Sequence, residues 1–111
     1  MAMTHATQAG KALTITPATD GLGLRLIGEV DLATAPVLAE ALDELVRGAG
    51  DVHLDLAELQ FVDVSGASVV VAAAAALGAG RTLVLHRPPE VLNQILDRFW
   101  PGADRIRVDA S

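Results

Sequence analysis

The segment VHLDLAELQFVDVSGASVVVAAAAAL, residues 52–77, decides the fold. It opens with Val52-His53-Leu54-Asp55-Leu56, which alternates apolar and polar residues and reads as a half-buried strand. It closes with Ala67 to Leu77, which carries no charge and has the length of a helix. Phe61-Val62-Asp63-Val64-Ser65-Gly66 connects the two, after Ala57 to Gln60 lead away from the strand. The helix is expected from about Gly66 to Leu77, with Ser65 where the loop turns into it. A serine hydroxyl at that point can cap the helix beside unpaired backbone N–H groups. A phosphate attached there would enter an anion site.

Leu13-Thr14-Ile15-Thr16 alternates and forms one strand, and Leu24 to Val30 forms another. Turn residues fill Pro17 to Gly23, with Asp20-Gly21 as the corner, so these two strands make an antiparallel hairpin. Asp31 to Thr34 leads to a helix in which Thr34 is the expected cap and Pro36 lies in the first turn. Leu38, Ala41, Leu42 and Leu45 share its apolar face, and Gly48 and Gly50 end it. Arg81 to His86 is a further strand. Pro88 and Pro89 open a third helix with an apolar stripe of Val91, Leu92, Ile95, Leu96 and Phe99, and Pro101-Gly102 stops it. Arg105 to Asp109 is the last strand. The order β-β-α-β-α-β-α-β predicts a single α/β domain with a mixed sheet and parallel crossovers. Residues 1–11 read as a flexible tail and 12–111 as the domain; Met1 to Gly10 is small and polar without a period.

Composition narrows the function. The chain has 111 residues and a net charge of −6, and its basic residues are scattered, which argues against nucleic acid as a partner. There is no cysteine, so disulfides, thiolate metal sites and cysteine nucleophiles are excluded. Val69 to Leu77 is too short to span a membrane, so no membrane insertion is expected. The N-terminus lacks the pattern of a secretory signal, and the expected location is cytoplasmic.

The order of elements, Gly28-Glu29-Val30-Asp31 after the second strand, and Leu54-Asp55-Leu56 with Phe61-Val62-Asp63-Val64-Ser65-Gly66 after the third resemble a STAS domain. The resemblance spans about Ala12 to Asp109. A free-standing domain of this size is most similar to an anti-sigma factor antagonist. The resemblance implies a non-enzymatic protein that binds an anti-sigma factor serine kinase when unphosphorylated. Phosphorylation of a serine at the start of the second helix releases it, and a serine phosphatase resets it. That serine maps to Ser65, and the family's acidic loop residue to Asp31. The implied partner surface is the second helix and the loop after Val30: Asp31, Thr34, Asp63, Val64, Gly66, Ser68 and Val69. No cofactor or metal is implied. Val64 stands where the family's Asp-Ser-Ser-Gly has its first serine, and Ala67-Ser68 replaces a more usual Leu-Gly. A second client is compatible with the same residues: a STAS subunit of a lipid-transport ABC complex, or part of a stress-signalling assembly.

Each feature has a plainer reading. A serine before glycine at a helix start is most often only a cap. Asp31 and Asp63 could be a catalytic carboxylate pair, or simply a loop acid and a turn acid; nothing supplies further metal ligands at recognisable spacing. Ser65 lacks a Gly-x-Ser-x-Gly elbow, and His53 and His86 lie on strands. No Gly-x-x-x-x-Gly-Lys phosphate loop is present. The charge-free helix is either buried on both sides or exposes an apolar strip to a partner. Phe99 and Trp100 read as core filling or a helix-end anchor.

Overall fold

The computed structural model describes residues 5–8, 11–18 and 23–110. Nine elements follow one another: β1 (His5–Gln8), β2 (Lys11–Pro17), β3 (Leu24–Val30), α1 (Ala35–Arg47), β4 (Val52–Val62), α2 (Val64–Ala75), β5 (Leu83–His86), α3 (Glu90–Phe99) and β6 (Ile106–Asp109). The strands lie in one sheet in chain order. β1 and β2 pair antiparallel, as do β2 and β3. The pairs β3–β4, β4–β5 and β5–β6 are parallel. Each helical crossover therefore steps one strand in the same direction. Right-handed connections of that kind lay all three helices on one face of the sheet.

That face is the core. Leu13, Ile15, Leu26, Val30, Leu54, Leu56, Leu83 and Leu85 from the strands meet Leu38 and Leu42 of α1, Val70 and Ala74 of α2, and Leu92 and Leu96 of α3. The alternation read in β2, β3 and the start of β4 puts these residues on one side. The other side of the sheet carries polar side chains. Arg25 pairs with Glu58, and Arg87 with Asp55 at 2.8 Å. Val84 is fully buried on this side, registered between His53 and Arg107.

Two strands differ from the expectation. β4 continues through Ala57 to Val62, where the sequence reads as a connection. The register of β4 against β3 slips between Asp55 and Glu58 and again between Leu59 and Phe61. Each slip is a bulge with one extra residue on β4, so the buried positions fall at Leu56, Leu59 and Val62. A spacing of three looks like neither strand nor helix. The second strand is β1, formed by four residues of the expected tail, which pair with Lys11 to Thr14. So short a run has no readable period, and its hydrogen bonds come from the outer edge of β2. The Asp20-Gly21 corner and residues 1–4, 9 and 10 of the tail lie outside the described residues.

Arg81 joins the two layers at the end of α1. Its guanidinium donates to the carbonyls of Gly50 at 2.7 Å, Val46 at 2.8 Å and Leu45 at 3.2 Å. Asp51 accepts the Thr82 N–H at 2.8 Å beside it. A cation is thereby placed on carbonyls at and just beyond the C-terminal end of the helix, where the helix dipole favours it.

Candidate functional site

The carboxyl ends of β3 and β4 are neighbours, with Val30 registered against Val62. The Asp63 N–H donates to the Val30 carbonyl at 3.2 Å and ties the two following loops together. The loop after β3 and the start of α2 therefore share one end of the sheet.

Asp63, and not Ser65, caps α2. Its carboxylate accepts the Ser65 N–H at 2.9 Å and the Gly66 N–H at 3.3 Å. The helix begins at Val64, two residues before the expected start, which places Ser65 inside the first turn. The anion site expected for a phosphate is thus already held by a carboxylate. Ser65 is half-buried, and its hydroxyl makes no hydrogen bond among the described residues. Gly66 is buried because a Cβ there would stand 2.7 Å from both Val30 Cγ1 and Val62 Cγ2. The glycine lets the first turn of α2 settle onto the ends of β3 and β4.

The loop after β3 is built by a reciprocal pair. Asp31 Oδ1 accepts the N–H groups of Ala33 at 3.0 Å and Thr34 at 3.1 Å. Thr34 Oγ1 accepts the Asp31 N–H at 3.0 Å and donates to the Glu29 carbonyl at 3.0 Å. This is a capping box with threonine in the third position. Thr34 occupies the N-cap position of α1, but its side chain makes no cap bond there; it reaches back to Asp31. It is fully buried and cannot touch a partner directly. Both loop carboxylates are thus committed to backbone N–H groups, which favours the turn reading over acid–base chemistry.

This end of the molecule exposes three large apolar side chains. Leu32 is 78% accessible, Val64 46% and Phe61 41%. Leu32 and Phe61 were not among the residues expected at the site. The available signal was a leucine inside a four-residue loop, held outward by the Asp31–Thr34 turn on either side of it. Along α2, Gly66, Ala67, Val70 and Ala74 are buried, while Ser68, Ala72, Ala75 and Ala76 are exposed and Val69 is half-buried. The helix therefore has one open side. Between α1 and α2 runs a groove of about 270 Å³, lined by Leu42, Val46, Val69, Ala72 and Ala76 with Asp43 and Ser68.

Residues 12–100 match the sequence model of the family described as "Mlab, STAS domain". The chain belongs to the STAS domain family. No curated protein sequence matches it. The STAS fold of this chain is similar to that of an anti-sigma factor antagonist from Mycobacterium paratuberculosis, with TM-score 0.67 and 23% identity over 95% of this chain and 92% of that one. It is also similar to that of the anti-sigma factor antagonist SpoIIAA in its unphosphorylated form, with TM-score 0.62 and 17% identity over 86% of each chain. At these identities the likeness is one of fold.

Other clusters in this STAS domain lie away from Ser65. His53 Nδ1 and His86 Nε2 are 2.8 Å apart, and His86 Nδ1 is 3.2 Å from Asp109. His53 lies at the start of β4 and Ser65 beyond its end, so among the described side chains no histidine stands beside the serine as a base. Among the described residues no group of His, Asp and Glu is placed to hold a metal ion, and no helix is long and apolar enough to cross a membrane.

Proposed function

We propose that this STAS domain is an anti-sigma factor antagonist whose hold on its partner is switched at Ser65. The observation that carries this reading is the surroundings of the Ser65 hydroxyl. It is free of hydrogen bonds among the described residues, stands in the first turn of α2, and is bordered by the exposed Val64. A kinase can reach such a hydroxyl, and a partner can bury the apolar ground around it. The partner is an anti-sigma factor serine kinase that binds the bare form; a serine phosphatase restores that form. The protein itself performs no chemistry, and the exchange takes place in the cytoplasm.

The Asp63 cap gives the switch its direction. Phosphorylation adds roughly −2 charge and three acceptor oxygens. The nearest backbone donors, the N–H groups of Ser65 and Gly66, are occupied by Asp63. Each like charge at ~4 Å costs about 1 kcal/mol in water and about 4 kcal/mol near a protein surface. The new phosphate therefore either displaces the cap or turns toward the partner. Either outcome places charge on an interface built from Leu32, Val64 and the open side of α2. Reversing occupancy from mostly bound to mostly free requires about 3–5 kcal/mol of differential affinity.

In this reading Asp31 and Thr34 act by fixing the loop that presents Leu32, and Gly66 by seating α2. Val64, Ser68 and Val69 contribute contact surface, and Asp63 sets the charge. The Mlab name of the matching family favours one second reading, a STAS subunit docked on the ATPase of a lipid-transport ABC complex. Affinity capture from native cytoplasm with the chain as bait separates them. Recovery of a serine-kinase anti-sigma factor supports the switch; recovery of a transporter ATPase with its permease replaces it.

A further inference from the structure

β6 is an edge of the sheet: among the described residues it pairs with β5 alone. The direction of its unpaired groups follows from two hydrogen bonds. The Leu83 N–H donates to the Arg105 carbonyl at 2.6 Å, and the Arg87 N–H to the Asp109 carbonyl at 2.7 Å. Residues 105, 107 and 109 therefore turn their backbone groups toward β5. Ile106, Val108 and Ala110 turn theirs outward, as a row of unmade ladder bonds. The side chains alternate as well. Val108 is registered with the core residue Leu85 and lies on the helix side, yet it is 45% accessible. Arg107 and Asp109 lie on the opposite face with Val84 and His86.

We infer that β6 is a self-docking strand, which joins a second copy of this chain antiparallel about a twofold axis through Val108. Backbone polarity and charge select that register. With the axis at Val108, its outward N–H and C=O meet those of its own counterpart, and Ile106 meets Ala110 of the second copy. Arg107 then stands directly opposite Asp109 of the second copy, and the symmetry repeats the pair. With the axis at Arg107, two arginines would face each other. With the axis at Ile106, Arg105 would face Arg107. Arg107 makes no ion pair among the described residues, so the second copy supplies its counter-charge. On the helix side a groove of about 450 Å³ runs between α3 and β6 and leaves Trp100, Ile106 and Val108 partly uncovered. The second copy's Val108 closes against it. Ser65 lies past the end of β4, two strands from this edge, so the dimer leaves both switch sites open. The inference is independent of the proposed function.

Sedimentation equilibrium of the full chain from ~10 µM to ~1 mM tests it. The four-residue strand predicts a weak, concentration-dependent dimer. Val108→Pro removes an outward N–H without touching a β5–β6 bond and should abolish the dimer while circular dichroism shows an intact fold. Arg107→Asp should weaken it by about tenfold or more. Asp109→Arg should do the same, and an equimolar mixture of these two variants should dimerise again, because each then supplies the charge that the other lacks. A wild-type chain that stays monomeric throughout, or a dimer indifferent to Val108→Pro and the charge exchange, overturns the inference.

Discussion

The Asp63 carboxylate holds the backbone N–H of Ser65 at 2.9 Å, so the residue proposed to be switched is tethered by the residue that caps its helix. Asp63→Ala should lower folding stability by about 1 kcal/mol, within ~0.5–2 kcal/mol for loss of an N-cap. Asp63→Asn keeps an acceptor and should recover most of the loss. Urea unfolding of the two variants checks this. Equal losses for both would assign the effect to charge and not to the cap.

Gly66 should tolerate no side chain. A Cβ at 2.7 Å from two valine methyls must push Val30 and Val62, which are buried and stiff about χ1. Overpacking of this kind costs about 1–3 kcal/mol. Alanine's better helix propensity returns up to ~1 kcal/mol. Gly66→Ala should therefore melt below the wild type, and adding Val30→Ala should remove part of the penalty. Simple additivity of the two losses would contradict the stated contact.

Along α2 the response to charge should change from residue to residue. Ala74 is buried at 1% accessibility, and an unpaired carboxylate there is very costly. Ala74→Glu should unfold the domain. Ala72→Glu and Ala76→Glu fall on the open side and should melt near the wild type while weakening partner binding. Collapse at all three positions would mean that α2 has no open side.

Arg81 bridges α1 and the approach to β5 through three carbonyls. Arg81→Ala should cost about 1–3 kcal/mol, because the carbonyls lose a charged donor. Arg81→Lys should restore only part of it, since an ammonium cannot reproduce the planar fork. Thermal melting of both variants measures the difference.

The alternation of apolar residues made β3 and the first half of β4 legible, and Pro36 with Gly48 framed α1. The second half of β4 was hidden because two bulges change its burial spacing from two to three. The cap of α2 was misplaced because serine and aspartate are both strong N-cap residues, and the sequence does not say which one turns out of the helix first. Thr34 was misread for a related reason: its hydroxyl joins a capping box one turn earlier. Arg81 was invisible because its partners lie more than 30 residues away. The position of Ser65 at the head of α2 was legible, since glycine follows it and a charge-free helix begins there. The apolar border given by Leu32 and Phe61 emerged only when β3 and β4 were brought side by side.

Incubation with the cognate anti-sigma kinase and ATP tests the proposed switch at Ser65. Mass spectrometry should find a single phosphate on Ser65, absent in Ser65→Ala. That variant should keep full affinity for the kinase and near wild-type stability, because Asp63 and not Ser65 provides the cap. Calorimetric titration should then show the phosphorylated chain binding at least ~100-fold more weakly than the bare one. A phosphate on Ser68, or equal affinity of the two forms, would contradict the account.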